Sequence, residues 1–333
     1  MSGAAVALRS SDPAMVDAVR SVVALADLPL SVHPAGARPP EAALVLDSAS
    51  EVGPADPDWR RPGRRFAWVA VDHAVTAPDG ARCLVLPDTA EELLTRVRAV
   101  TTTRRARVVG VVGARGGAGA STLAAVLARA CADAGLAPGL VDLDLDGGGI
   151  DVLVGAEHEA GLRWSDLVEE RSGFTPADLA AALPRWRGVR LLSADLRTTT
   201  APPVEHALAA LADALDVVVL DLPRAAARPG EIGTRWCDTV VVVATCDLTA
   251  VGGAQHLAHA LTGLDRRLVT RGPAPGGIGP EDVAAAAGLP LLHAMVPERG
   301  LASALERGVA PGDRRRGPLA RCARRLVAEL DLR

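Results

Sequence analysis

The sequence contains no lysine, no tyrosine and no asparagine; all 36 of its basic residues are arginine. No mechanism that requires a lysine ammonium is open to this chain. Aromatic residues make up only 2%, and the five scattered tryptophans read as core or interface anchors, not as a base-stacking platform. Cys83, Cys131, Cys237, Cys246 and Cys322 never stand in Cys-x-x-Cys spacing. That excludes a zinc or disulfide framework and reads as reduced, mostly buried thiols of a cytoplasmic protein. No apolar run exceeds six residues, far short of the roughly 20 that a membrane-spanning helix needs. No basic segment followed by an apolar core opens the chain, so no signal peptide is read. The 36 basic residues nearly balance 40 acidic ones, which argues against wholesale coating of nucleic acid.

What remains is the composition of a globular protein, 49% apolar and 23% charged over 333 residues, a length that allows two domains. Over residues 1–100 short apolar runs alternate with helical spacings. The first strand is read over residues 4–8. Asp12 then stands as N-cap with Pro13 at the first helical position, ahead of Met15, Val16, Val19, Val22 and Val23. Further strands are expected near residues 30–32, 42–46, 66–71 and 81–86, and Asp88 opens a last helix through Leu93 and Val97. This alternation predicts a small parallel α/β sheet. Residues 48–65, rich in Pro, Gly, Asp and Arg, read as a long irregular connection. Residues 101–106 read as an interdomain linker with solvated Arg104 and Arg105.

From residue 107 the alternation resumes on a larger scale. Strands are expected at residues 107–112, 140–145, 189–193, 217–220, 240–245, 267–270 and 291–296, with helices at 121–134, 204–215 and 318–330. The runs 217–220 and 240–243 are apolar throughout, as central parallel strands buried on both faces should be. After the first of these strands comes Gly113-Ala114-Arg115-Gly116-Gly117-Ala118-Gly119-Ala120-Ser121-Thr122, then a helix. Glycines between a strand and a helix let backbone N–H groups converge on an anion at the helix N-terminus. Asp142 and Asp144 fall at and just before the end of the next strand, and Asp221 ends an apolar strand, suited to holding magnesium.

These residues resemble the MinD/ParA family of deviant Walker-A ATPases over residues 107–330. In that family the loop reads Lys-Gly-Gly-x-Gly-Lys-Thr/Ser-Thr. Arg115 takes the signature lysine position and Ala120 the general phosphate-loop lysine; Ser121 matches the magnesium-binding hydroxyl, followed by Thr122. Asp142, Asp144 and Asp151 match the Asp-x-Asp…Asp spacing, with Asp144 at the catalytic, water-positioning carboxylate and Asp221 at the Walker-B aspartate. The resemblance implies a phosphate site of Arg115, Gly116, Gly117, Ala118, Gly119, Ala120, Ser121 and Thr122, with Ser121 and Asp221 holding Mg beside ATP or ADP. It also implies a mostly parallel-sheet P-loop NTPase-like domain over 107–333. A receiver-like, flavodoxin-like domain over 1–100, placed ahead of it, resembles CpaE-type pilus-assembly proteins. The wording Arg-Gly-Gly-Ala-Gly-Ala-Ser-Thr is similar to the actinobacterial septum site-determining (Ssd) family.

The departures bear on mechanism. A charge-assisted hydrogen bond from an ammonium is worth about 1.5–3 kcal/mol in binding, and a transition-state cation about 10³–10⁵ in rate. Ala120 lacks that cation, whereas an Arg115 guanidinium binds phosphate bidentately. Weak nucleotide binding without efficient hydrolysis is therefore expected, and Asp144 is read as vestigial. The family's adenine-contacting Asn appears as Thr270, beside Arg271.

The resulting expectation is a cytoplasmic spatial regulator of septum-site selection, or of pilus or secretion assembly. It acts through protein partners of that machinery, with a homodimer open to it and recruitment to septum or membrane by partners. Two alternatives stand beside it: a slow ATPase using Arg115, and a nonspecific DNA-binding partition protein. The second draws on residues 299–333, which carry nine arginines against four acidic residues. Their last helix reads as docking through Leu319, Cys322, Leu326 and Leu330 with a basic outer face. His256 and His259, three apart on an expected helix, read as solvated side chains. Asp47 ends an apolar strand where a receiver carries its phosphoacceptor, but the supporting acidic pair and lysine are missing, so it reads as a pseudo-receiver.

Overall fold

The computed structural model describes residues 6–35, 37, 42–51, 65–75, 83–102, 106–169, 175–197, 202–228 and 230–333. The chain divides into two compact units, Met1–Arg104 and Arg105–Arg333.

The first unit has strands β1 (Val6–Arg9), β2 (Leu30–His33), β3 (Leu44–Ser48), β4 (Arg65–Ala70) and β5 (Cys83–Val85). They form one parallel sheet in the order β2-β1-β3-β4-β5, the strand order of flavodoxin-like doubly wound sheets. Helix α1 (Pro13–Ala24) begins where the Asp12 carboxylate accepts the Ala14 amide at 2.9 Å, with Pro13 supplying a preset φ. Its Met15, Val19, Val22 and Val23 join Leu93 and Val97 of α2 (Ala90–Thr102) on Val6, Leu8, Leu44, Leu46, Val69 and Leu84 of the sheet. Trp68 packs on the opposite side with Ala49, Ala35, Val75 and Cys83.

Two expectations for this region need correction. The segment read as a linker from residue 101 is still helical through Thr102, because α2 propagates past the residues that dock it. Ala106 already belongs to the second unit, buried with its amide on the Ala212 carbonyl at 2.8 Å. Residues 103–105, like 52–64 of the expected irregular connection, lie outside the described residues; Ser48 and Arg65 are strand residues.

The second unit has strands β6 (Arg107–Gly113), β7 (Pro138–Asp142), β8 (Arg185–Trp186), β9 (Val189–Leu192), β10 (Val217–Leu222), β11 (Thr239–Thr245), β12 (Asp265–Arg271) and β13 (Leu291–Met295). Its helices are α3 (Ala120–Asp133), α4 (Ile150–Val154), α5 (Trp164–Glu169), α6 (Pro176–Ala182), α7 (Val204–Ala214), α8 (Ile232–Trp236), α9 (Leu248–Ala260), α10 (Pro280–Ala287), α11 (Leu301–Leu305) and α12 (Pro318–Glu329). The sheet runs β13-β12-β11-β6-β10-β7-β9-β8 and is parallel except for the β8–β9 edge hairpin.

Strand alternation sorts the side chains into two cores. Val109, Val111, Val217, Val219, Val241 and Val243 face α3 and α12. Val108, Val112, Val218, Leu220, Val240 and Val242 face α7, α9 and α10. Both faces of β6, β10 and β11 are therefore covered, which explains why these runs lack polar positions. In α12 Leu319, Cys322 and Leu326, with Leu330 at its C-cap, are buried and Arg321, Arg324 and Arg325 are exposed, as the sequence spacing predicts.

The second strand of this unit is displaced from its expected position. Residues 140–145 were expected, but β7 runs Pro138–Asp142. Pro is tolerated at a first strand residue. At the other end the Asp142 carboxylate accepts the Asp144 and Ile150 amides at 3.0 and 2.9 Å, which turns the chain away. Asp144 thus lies beyond the strand end and Asp142 at it.

Candidate phosphate-binding site

The strand order fixes where a ligand can approach. From β6 the chain crosses to β7 on one side of the sheet, and from β10 it crosses to β11 on the other. Ligands in such sheets bind beyond the strand C-termini at this reversal. There β6 delivers the loop 113–119 into α3. Ala114 anchors the loop, buried and with its amide on the Val243 carbonyl at 2.8 Å. Gly119, with φ at +98°, is the N-cap of α3 and supplies no side chain to its first amides. Those amides and the helix dipole are what an anion would satisfy.

Ser121 and Asp221 meet beside this opening, the hydroxyl donating to the carboxylate. In the ladders Asp221 lies opposite Val111 of β6 and Asp142 of β7. Burial pushes the Asp221 carboxyl up to about 7, and the charges of Asp142 and Asp144 add to the rise against the Ser121 bond. Burial likewise pushes Asp142 up to about 6, with Asp144 adding to it against the amide hydrogen bonds. Among the described residues no cluster of three or more His, Cys, Asp or Glu side chains could hold a metal ion by itself, but a buried carboxylate with neighbouring negative charge, next to a hydroxyl, offers the hard oxygen donors that Mg favours beside phosphate oxygens. A divalent cation there would relieve the repulsion, so the residues present fit Mg.

The remaining members of the sequence-predicted set separate. Asp144 is exposed, with its carbonyl on the Gly147 amide at 2.9 Å. Asp151 is buried and engaged by Arg163 Nε at 2.8 Å and by the Ser193 hydroxyl at 3.0 Å, a structural ion pair at the start of α4. Trp164 ties α5 to the end of β7 through its indole N–H on the Asp142 carbonyl at 2.6 Å. Thr270 is fully buried, leaving its neighbour Arg271 as the residue of this strand end that reaches the loop.

The cations are arranged in a way the loop sequence does not reveal. Arg115 Nη1 lies 3.1 Å from Asp247 Oδ2. Asp247 caps α9 by accepting the Ala250 amide at 3.0 Å. The Thr245 hydroxyl and that amide hold its carboxyl below the usual range, with Arg115 adding to them. Arg224 Nη1 donates to the Ala114 carbonyl at 3.3 Å, and Arg271 Nη2 to the Gly117 carbonyl at 3.0 Å. Sequence reasoning missed both contacts. It also missed Gly253 of α9, where a Cβ would stand 1.8 Å from the Ala114 carbonyl oxygen. The one available signal was the Gly252-Gly253 pair inside a helical stretch, which marks close backbone approach.

The second unit has the fold of the MinD/ParA P-loop ATPases. A ParA family ATPase from Chlorobium tepidum matches with a TM-score of 0.59 and 16% identity, over 68% of this chain and 100% of its own. A chain of the MinC:MinD cell division protein complex of Aquifex aeolicus matches at 0.55 and 19%, over 68% and 96%. The septum site-determining protein MinD complexed with Mg-ADP from Pyrococcus horikoshii matches at 0.52 and 18%, over 68% and 96%. In sequence, the uncharacterized protein Rv3660c of Mycobacterium tuberculosis is 43% identical over 227 residues, 67% of this chain and 63% of that protein. The chain thus spans less than two thirds of that relative's length. No known family profile matches the chain. Among the described residues no helix is long and apolar enough to cross a membrane.

Proposed function

We propose that this chain is a MinD/ParA-type spatial regulator, acting on septum-site selection or on the assembly of a pilus or secretion system. It works through protein contacts, with a nucleotide site that binds weakly and does not turn over efficiently. The observation that carries this reading is the Ser121–Asp221 pair kept in place beside Ala120, while Arg115 is engaged by Asp247. In this reading the pair serves as the magnesium end of a P-loop, and position 120 lacks the lysine that would stabilise the transferring phosphoryl.

In this reading the amides of residues 116–122 and the α3 N-terminus hold the phosphates, and Ser121 and Asp221 hold Mg. Bound Mg would neutralise the carboxylate that burial now keeps partly protonated. The loop wording, and a first unit with flavodoxin-like strand order ahead of the loop domain, support the narrower Ssd and CpaE-like placement. The first unit then serves as a pseudo-receiver for contacts.

The test is the full chain titrated with ATP–Mg and with ADP, with turnover measured on the same sample. Expected are weak binding and turnover about 10³-fold or more below that of active relatives. Turnover comparable to theirs would overturn the reading.

A further inference from the structure

We propose that Arg271 is the phosphate-loop cation of this chain, gripping the phosphates of a nucleoside di- or triphosphate where the missing lysines leave none. This rests on the nucleotide site proposed above and names the residue on which its affinity depends.

The backbone of Arg271 is fixed. It is the last residue of β12, paired with Thr245 of β11 and Met295 of β13, and its carbonyl accepts the Cys246 amide at 3.3 Å. From there its side chain reaches a loop 154 residues earlier in the sequence, with Nη2 on the Gly117 carbonyl at 3.0 Å. Nη1 stands 3.0 Å from the point where a Cβ on Gly119 would be. Any side chain at 119 would push the guanidinium off the turn into α3. The guanidinium therefore lies against the two residues, Gly117 and Gly119, whose positive φ angles shape the anion cradle.

The other cations are committed elsewhere. Arg115 is paired with Asp247, and Arg224 binds Ala114 at the opposite, strand end of the loop. Position 120 is a methyl group. Among the described residues no carboxylate pairs with Arg271. The Gly117 contact uses one of the five guanidinium N–H groups, and the rest of the planar fork is suited to two phosphate oxygens. The loop amides orient an anion but carry no full charge, so Arg271 supplies the missing one.

The resemblance places an adenine contact at this strand end, so the test must separate phosphate from base. The full-length protein is titrated with ATP–Mg and, separately, with inorganic tripolyphosphate–Mg. Arg271→Ala should weaken both by about 10- to 100-fold with an unchanged thermal midpoint, and Arg271→Lys should fall between. Loss of ATP affinity alone in Arg271→Ala would make it a base contact and overturn the proposal. An unchanged or tighter affinity in that variant, the mark of a plug, would overturn it too. A wild-type chain that binds neither probe would also sink it, while leaving the protein-contact reading of function standing.

Discussion

Arg9 closes a two-pronged ion pair on Asp47, with Nε 2.7 Å from Oδ1 and Nη2 2.5 Å from Oδ2, the two side chains 4% and 0% exposed. The residues face each other in the register of β1 and β3 at the strand C-termini. This is the position at which a receiver would present its phosphoacceptor. Here both carboxylate oxygens are taken by a guanidinium shielded from water. Full-length protein incubated with acetyl phosphate and magnesium should keep its mass. A stoichiometric phosphoryl adduct, lost in Asp47→Ala, would show that the fork opens.

The same pair makes a stability prediction. Removing one partner strands a buried charge, at a cost of about 3–5 kcal/mol, whereas replacing both by apolar residues is far milder. Arg9→Ala should therefore lower the denaturation midpoint of the first unit more than the double variant Arg9→Leu/Asp47→Leu does. Equal losses would mean that packing, not charge, sets the cost.

Gly253 and Gly252 form a matched comparison within α9. A Cβ at 253 meets the Ala114 carbonyl oxygen at 1.8 Å, whereas at 252 it meets nothing within 4 Å. Gly253→Ala should displace the loop anchor and destabilise by about 1–3 kcal/mol. Gly252→Ala should be neutral or stabilising by about 0.5–1 kcal/mol, because alanine costs less entropy in a helix. Thermal midpoints of the two variants decide it.

Asp221 gives a pH dependence of unusual sign. Its folded carboxyl titrates at about 7, and in the unfolded chain at about 4. Between these values the folded state holds a proton that the unfolded state has lost, so stability is full at the acid end and falls as pH rises through 7. Without magnesium, the midpoint difference between wild type and Asp221→Asn should shift against wild type from about pH 5 to about pH 8. No shift in that difference would mean that Asp221 titrates normally.

Asp144 is exposed and lies beyond the end of β7. If activity in cells does not depend on hydrolysis, Asp144→Ala should leave septation or assembly largely unchanged. Loss of turnover together with loss of function would mean that an arginine has restored catalysis.

Much of this was legible locally. The strand Arg107–Gly113, the glycine loop and α3 lie in one continuous stretch, and their spacing states the geometry directly. The two-sided burial of β10 and β11 was legible for the same reason, since an unbroken apolar run admits few other fates. Where hydrogen bonds override pattern, reading failed: the apolar Leu143 and Leu145 extended the expected strand, yet the Asp142 carboxylate ends it two residues after Leu140.

By itself the sequence determined the chemistry that is missing: with Ala120 and no lysine anywhere, no fold can place an ammonium on the phosphates. It also determined that a Gly-rich turn joins a strand to a helix there. Only the tertiary structure decided which arginine faces that turn. Arg115 sits inside the loop yet is drawn to Asp247, 132 residues away, while Arg271, 154 residues from Gly117, crosses onto the loop. Strand order is the physical reason: β11 lies beside β6 and β12 beside β11 in the sheet, although both follow β6 by more than a hundred residues. Charge partners are chosen by distance in space, and no local pattern in the chain encodes that distance.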